Sequence, residues 1–139
     1  MRYLGKYRPS FPRKYNGDPN NVIYRSSWEY KFMKWCDVTS SVTEWGSEEI
    51  IIPYVSPVDG RKHRYFPDFY VKVKGKKYLV EVKPFKQTLE PKTQKRHTKR
   101  YINEVVTYAV NRAKWKAATE FCKDNSWEFM LITEKELKV

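Results

Sequence analysis

Residues 69–83 restrict the fold more than any other part of the chain. Phe69, Val71 and Val73 form one alternating apolar row, and Tyr78, Val80 and Val82 form a second, on either side of Lys74-Gly75-Lys76. Successive strand side chains point to opposite faces, so the spacing predicts two antiparallel strands with both rows facing one core. A two-residue Gly75-Lys76 turn, with glycine first as type II′ requires, sets Val73 opposite Tyr78, Val71 opposite Val80 and Phe69 opposite Val82. Asp68 then lies opposite Lys83, with Glu81 one pair nearer the turn. A register displaced by two residues sets Asp68 opposite Glu81 instead. In both registers Asp68, Glu81 and Lys83 share the face opposite the apolar rows, whereas a displacement of one would break the core alignment.

Other segments supply the elements around this hairpin. Ser26 as N-cap with Glu29 three residues later predicts a helix from 26 or 27 to about 37. Strands are expected at 41–44 and 49–55, the second containing the β-branched run Ile50-Ile51-Ile52, followed by a turn at Pro57-Val58-Asp59-Gly60. The hairpin strands are placed at 64–73 and 77–83, and Pro84 and Pro91 mark a loop over 84–100. In the long helix expected at 102–123, Ile102, Val105, Val106, Ala109, Val110, Ala113, Ala117 and Phe121 follow the spacing of one face. A last strand at 127–133 precedes a charged tail. Helix, strands, helix, strand is the pattern of an α/β fold, a single mixed sheet flanked by helices.

The 139 residues suit one compact domain, with residues 1–20 as a basic N-terminal arm and 21–139 as the domain proper. Arg2, Lys6, Arg8, Arg13 and Lys14 are interleaved there with Tyr3, Tyr7, Phe11 and Tyr15, and no acid occurs before residue 18. The segment either lies on nucleic acid or is a lead-in packed by its tyrosines. No run approaches the ~20 apolar residues that span a bilayer, and the first six residues lack a signal-peptide apolar region. A soluble intracellular protein without membrane partners is therefore expected. Lys and Arg number 28 against 16 Asp and Glu, a formal net charge of +12, which points to a polyanionic partner, most commonly nucleic acid. Cys36 and Cys122 are far apart and outside any C-x-x-C pattern, which predicts buried apolar residues rather than a zinc site or disulfide.

Two carboxylates and a lysine on one face repel and attract in a way that suits a divalent cation. Mg²⁺ takes oxygen ligands, keeps several waters and needs one or two carboxylates beside a phosphate. Asp68, Glu81 and the main-chain carbonyl of Val82 are the expected ligands, with Mn²⁺ as a substitute, and Lys83 is placed to orient a water or offset phosphate charge. Glu29 lies at helical spacings 3, 4 and 7 from Phe32, Met33 and Cys36. An acid on an apolar helix face needs a partner. Capping the helix and joining the cation site both remain open on the residues alone.

The combination of Glu29, Pro67-Asp68 and Glu81-x-Lys83 resembles the PD-(D/E)xK nuclease superfamily, and its TnsA-like branch in particular. Tyr24-Arg25-Ser26-Ser27-Trp28-Glu29, Ile52-Pro53-Tyr54, His63-Arg64-Tyr65-Phe66-Pro67-Asp68-Phe69 and Glu81-Val82-Lys83-Pro84 are similar to the head-completion nucleases of tailed phages, over roughly residues 20–90. The resemblance implies a restriction-endonuclease-like core, Mg²⁺-dependent hydrolysis of DNA phosphodiesters during phage head completion, and a catalytic set of Glu29, Asp68, Glu81 and Lys83. It further implies action in the host cytoplasm or on the virion, and leaves phage head or portal proteins and a homodimer open as partners.

Between residues 86 and 100, Lys86, Lys92, Lys95, Arg96, Lys99 and Arg100 face one acid, Glu90. Because this loop leaves the strand that ends at Lys83, it is expected, with Arg13 and Lys14, to contact the DNA backbone, the alternative being a solvated disordered loop. His63 falls on the face away from Asp68 and reads as structural, while His97 among cations reads as a phosphate contact. Glu48 and Glu49 read as strand-end acids within reach of the site. The competing reading is a non-catalytic DNA-binding virion protein that keeps a nuclease-like fold. It leaves the intact four-residue spacing unexplained.

Overall fold

Strand alternation and helix capping set the elements in the order β1 (Gly5–Tyr7), β2 (Val22–Tyr24), α1 (Ser27–Val38), β3 (Val42–Ser47), β4 (Ile52–Val55) and β5 (Lys62–Tyr65). There follow β6 (Phe69–Val73), β7 (Lys76–Val82), α2 (Lys99–Asp124), β8 (Glu128–Ile132) and α3 (Glu134–Leu137). This is a computed structural model, and it describes residues 5–138. Arg2 and Tyr3 of the basic lead-in lie outside the described residues. The main sheet has the strand order β3-β6-β7-β8, while β1-β2 and β4-β5 form separate two-stranded ribbons. Only β7 and β8 run parallel in the main sheet, and α2 is the connection between them. The expected mixed sheet flanked by helices is thus observed.

The hairpin register is the displaced alternative. Phe69 pairs with Val80, Val71 with Tyr78 and Val73 with Lys76. The turn is therefore Lys74-Gly75, not Gly75-Lys76. Both residues have positive φ, 50° and 84°, the signature of a type I′ turn, whose twist matches the strands it joins. Lysine tolerates that conformation poorly, whereas asparagine and glycine suit it. Lys74→Asn is expected to stabilise the protein by about 0.5–1 kcal/mol, read from the denaturant midpoint. An unchanged or lower midpoint would show that the turn contributes no backbone strain.

Both sheet faces are packed. Phe69, Val71 and Val80 meet Phe32, Met33 and Cys36 of α1 together with Trp45. On the other face Tyr70 and Leu79 meet Trp115, Ala118 and Cys122 of α2, with Ile52 and Tyr65 completing a second core. Both cysteines are free and buried, as expected. The face that carries Glu81 is therefore not an open one, and Glu81 is only 6% exposed.

Three expectations need correction. The strand expected over 64–73 is broken at Phe66-Pro67-Asp68 and shared between β5, which pairs with β4, and β6. Pro67 has no N–H to give a ladder, so pairing stops there. Of the Ile50-Ile51-Ile52 run, only Ile52 enters a strand, and Ile51 is exposed. In α2 the buried residues are Asn111, Trp115, Ala118 and Cys122, whereas Ile102, Val105 and Val106 are 49%, 41% and 42% exposed. Length explains this: a helix of 26 residues runs about 39 Å, but strands of five to seven residues cover only about 17–23 Å. The first turns of α2 overshoot the sheet. Among the described residues no helix is long and apolar enough to cross a membrane.

The basic lead-in packs into the body. β1 pairs with β2, and Tyr7 and Tyr15 are buried. Asp37 is fully buried at the end of α1 and accepts from Tyr7 Oη (2.6 Å), Ser10 N–H (2.7 Å) and Phe11 N–H (3.0 Å). Lys14 donates to the carbonyls of Asp37 and Thr39, both at 2.9 Å, where the helix C-terminus favours a cation.

Candidate active site

Asp68 sits at the break before β6, and Glu81 lies in β7, directly across the hairpin. Each carboxylate is tied to the other's strand. Val82 N–H donates to Asp68 Oδ2 at 2.8 Å, and Asp68 N–H donates to Glu81 Oε1 at 3.3 Å. Tyr65 at the end of β5 donates its hydroxyl to Glu81 Oε1 at 2.6 Å. The break in the strand at Phe66-Pro67-Asp68, which takes three residues out of the ladders, is what brings Tyr65 round to Glu81. Lys83 follows immediately: its N–H donates to the Ile132 carbonyl at 3.0 Å, and its ammonium lies 3.7 Å from Glu81 Oε2. The main chain on both sides of the Val82 carbonyl is thereby fixed.

Glu29 arrives from α1. Its N–H donates to Ser26 Oγ at 3.1 Å, the expected cap, but its carboxylate does not complete the capping box. Oε1 instead accepts from Arg25 N–H at 3.1 Å, one residue further back. The capped first turn holds the Glu29 carboxylate where the Lys83 charge acts on it and where it acts on Asp68.

Burial dominates the electrostatics. It pushes the Asp68 carboxyl well above its ordinary range, and the neighbouring Glu81 charge adds to the effect. Burial likewise raises Glu81, against the opposing pull of the Tyr65 hydroxyl, Lys83, the Asp68 N–H and Lys114. Glu29 is raised by burial and lowered in part by Arg25. Burial thus raises all three carboxyls, and the Glu81 charge acts on Asp68. Among the described residues no three His, Cys, Asp or Glu side chains gather around one point. A cation here would be held by the Asp68 and Glu81 carboxylates, with a main-chain oxygen such as that of Val82. That donor set fits Mg²⁺, which needs few protein ligands.

Several members of the site carry no signal in the spacing of the sequence. Arg25 pairs with Glu48, and the Glu48 N–H donates to the Asp68 carbonyl at 3.1 Å, which joins β3 to the break before β6. Glu48 thus reaches the rim of the site, whereas Glu49 accepts from Tyr15 at 3.1 Å. Lys114 of α2 lies 5.7 Å from the Tyr65 ring centre and 5.8 Å from that of Tyr54. Tyr65 could have been suspected because it directly precedes Phe66-Pro67-Asp68. Lys114, 33 residues beyond Glu81 in sequence, could not.

The nucleic-acid candidates divide. Lys86, Lys92, Lys95, Arg96, Lys99 and Arg100 are exposed, with Arg100 3.3 Å from Glu104. Arg13 is exposed, but Lys14 is committed to the end of α1 and is not free to meet a phosphate. His63 bonds Asp59 at 2.8 Å within the β4-β5 ribbon, away from the site. His97 lies against Tyr101 on the exposed loop. The start of that loop is anchored: Phe85 N–H donates to Glu134 Oε1 of α3 at 2.7 Å, and the Lys135 ammonium lies 3.5 Å from the Phe85 ring centre. The charged tail is therefore a helix with a structural task.

The family model for the TnsA-like endonuclease N terminal matches residues 39–134, a span that includes Asp68, Glu81 and Lys83 but not Glu29. The chain is also similar to the head completion nuclease of Enterobacteria phage T4, with 39% identity over 143 residues, covering 99% of this chain and 95% of that protein.

Proposed function

Because the chain belongs to the TnsA-like N-terminal endonuclease family, we propose that it is a Mg²⁺-dependent DNA endonuclease that processes DNA during phage head completion. One observation carries the proposal: Asp68 and Glu81 are locked carboxylate to opposite strand, in a buried setting, with the Lys83 ammonium beside them. Similarity along nearly the whole chain to a head completion nuclease supports the place of the activity in phage assembly.

The residues divide the work. Asp68 and Glu81 would hold the cation, and the cation supplies acidification of a water and neutralisation of phosphate charge. Glu29 is fixed through Oε1 to Arg25 N–H, which leaves Oε2 to orient a water. Lys83 places its ammonium where the phosphate would gain negative charge in the transition state. Tyr65 is a positioning residue. Its hydroxyl fixes the rotamer of Glu81 and helps keep it ionised. The exposed cations of the loop after Lys83 would hold the DNA backbone, so binding should weaken steeply with salt.

Supercoiled plasmid incubated with the purified protein and Mg²⁺ should become nicked or linear, and EDTA should stop the reaction. A protein that binds plasmid but leaves it supercoiled with both Mg²⁺ and Mn²⁺ would support a non-catalytic DNA-binding protein instead. Tyr65→Phe should lower the cleavage rate about tenfold at neutral pH and move the acid limb of the pH profile upward, since Glu81 loses a bond to its charged form. A profile unmoved by the change would assign Tyr65 to packing alone.

A further inference from the structure

We propose that the cleft between the 84–98 loop and the overshooting end of α2 binds an unpaired DNA strand, so that the preferred substrate is duplex DNA with a single-stranded tail. The proposal rests on the nuclease reading above and adds the class of DNA to it.

The first turns of α2 have no sheet beneath them, yet they are not bare. The loop that follows β7 folds back along them and encloses a cleft of about 1120 Å³. One wall is a helical stripe, Tyr101, Glu104, Tyr108 and Asn111, at spacings of three and four residues. The other wall comes from the loop and includes Lys86, Gln87, Leu89 and Lys92. Lys99 and Arg100 stand at the outer end. Glu104, the acid on the helical wall, is already within 3.3 Å of Arg100.

The inner end leads to the chemistry. Asn111 is buried at the bottom of the cleft, and the next residue of its stripe, Lys114, sits against the Tyr65 ring and acts on the Glu81 carboxylate. The loop wall begins three residues after Lys83. Both walls therefore converge on the acidic pair.

The lining chemistry suits bases rather than an intact duplex. Tyr101 and Tyr108 are two helical turns apart on one face, about 10 Å, and each is partly exposed to the cleft. Aromatic faces stack on bases of any identity, and cations alongside track the backbone. The amides of Gln87, Gln94 and Asn103 offer donors and acceptors to base edges. In a duplex the base faces are stacked and the pairing edges are engaged, so an unpaired strand offers this concave site stacking surfaces and edges that a duplex withholds.

The test uses the full chain carrying Asp68→Asn, so that DNA survives the measurement. Fluorescence anisotropy compares a short blunt duplex with the same duplex extended by an oligothymidine tail, 3′ or 5′. The tailed duplex is expected to bind about tenfold more tightly, a gain within the range of one or two stacked bases. Adding Tyr101→Ala with Tyr108→Ala should bring tailed affinity down to that of the blunt duplex. Tyr101→Phe with Tyr108→Phe, which keeps the rings, should preserve the preference. Circular dichroism confirms that each variant is folded. Equal affinity for blunt and tailed duplex would overturn the proposal, as would a preference that survives the double alanine change. Wild-type cleavage of plasmid with Mg²⁺, run in parallel, tests the nuclease reading separately, since cutting without tail preference leaves that reading intact.

Discussion

Asp68→Asn is expected to lower DNA cleavage by about 10³-fold or more while DNA binding holds or improves and the cation-free protein becomes more stable. The loss follows from removing one of two carboxylates that would hold the cation, and with it much of the charge stabilisation at the phosphate. The gain in stability follows from the electrostatics of the two carboxylates in the cation-free protein. Burial and Glu81 hold the Asp68 carboxyl well above its ordinary range in the folded state. The stability that a raised carboxylate contributes is present below its unfolded pKa, about 4, and is lost as pH rises through the folded value. At neutral pH the native pair is therefore a liability, and asparagine removes it while its amide oxygen still accepts from Val82 N–H. Melting temperature in EDTA at neutral pH should rise by about 3 °C or more, and the difference should shrink toward pH 4. Cleavage by the variant at the wild-type rate would remove Asp68 from the chemistry. A lower melting temperature would show that the carboxylates are structural partners, not a cation site held in tension.

Asp37→Ala is expected to be the most damaging single change to stability, at about 3–5 kcal/mol. The side chain is fully buried and satisfies the Tyr7 hydroxyl and the Ser10 and Phe11 N–H groups at 2.6, 2.7 and 3.0 Å. Alanine leaves three donors without a partner and opens a hole at the end of α1. It should also loosen Lys14, whose bonds to the Asp37 and Thr39 carbonyls depend on the same segment. Melting temperature should fall by about 10 °C or more, and amides of residues 5–15 should lose hydrogen-exchange protection first. Asp37→Asn, which keeps one acceptor, should cost roughly half as much. A fall of only a degree or two for alanine would mean that the basic lead-in is held by its tyrosines and not by this carboxylate.

The hairpin was legible because its information is local. Two alternating apolar rows leave few pairings, and the chemistry of Asp68, Glu81 and Lys83 survives either of the two allowed registers. Choosing between those registers was beyond alternation, since a displacement of two preserves every face. The choice fell to the turn, where Lys74 accepts a left-handed conformation so that the strands keep their twist. Glu29 shows the same limit from another side. Its spacing to Ser26 marked a cap, its spacing to Cys36 marked a buried face, and both are correct, but only the packing of α1 on the sheet brings it toward Lys83.

The α2 helix was misread for a physical reason that no periodicity can reveal. Its first turns carry Ile102, Val105 and Val106, but burial requires a partner surface, and the sheet does not reach those turns; further along, the helix buries Asn111, Trp115, Ala118 and Cys122 instead. Likewise Arg13 and Lys14 are adjacent cations of similar sequence context, yet one is exposed and the other caps a helix. Which of the two happens depends on where the end of α1 lies.

The amino-acid sequence by itself determined the class of fold, the hairpin that carries the acids, and the identity of the residues at its centre, because each depends on contacts between near neighbours in the chain. Tertiary structure alone decided that a second core covers the acidic face, that Tyr65 and Lys114 stand beside Glu81, and that a loop closes over the free end of α2. Those arrangements join residues tens of positions apart, and only the relative placement of helices and sheet fixes such distances.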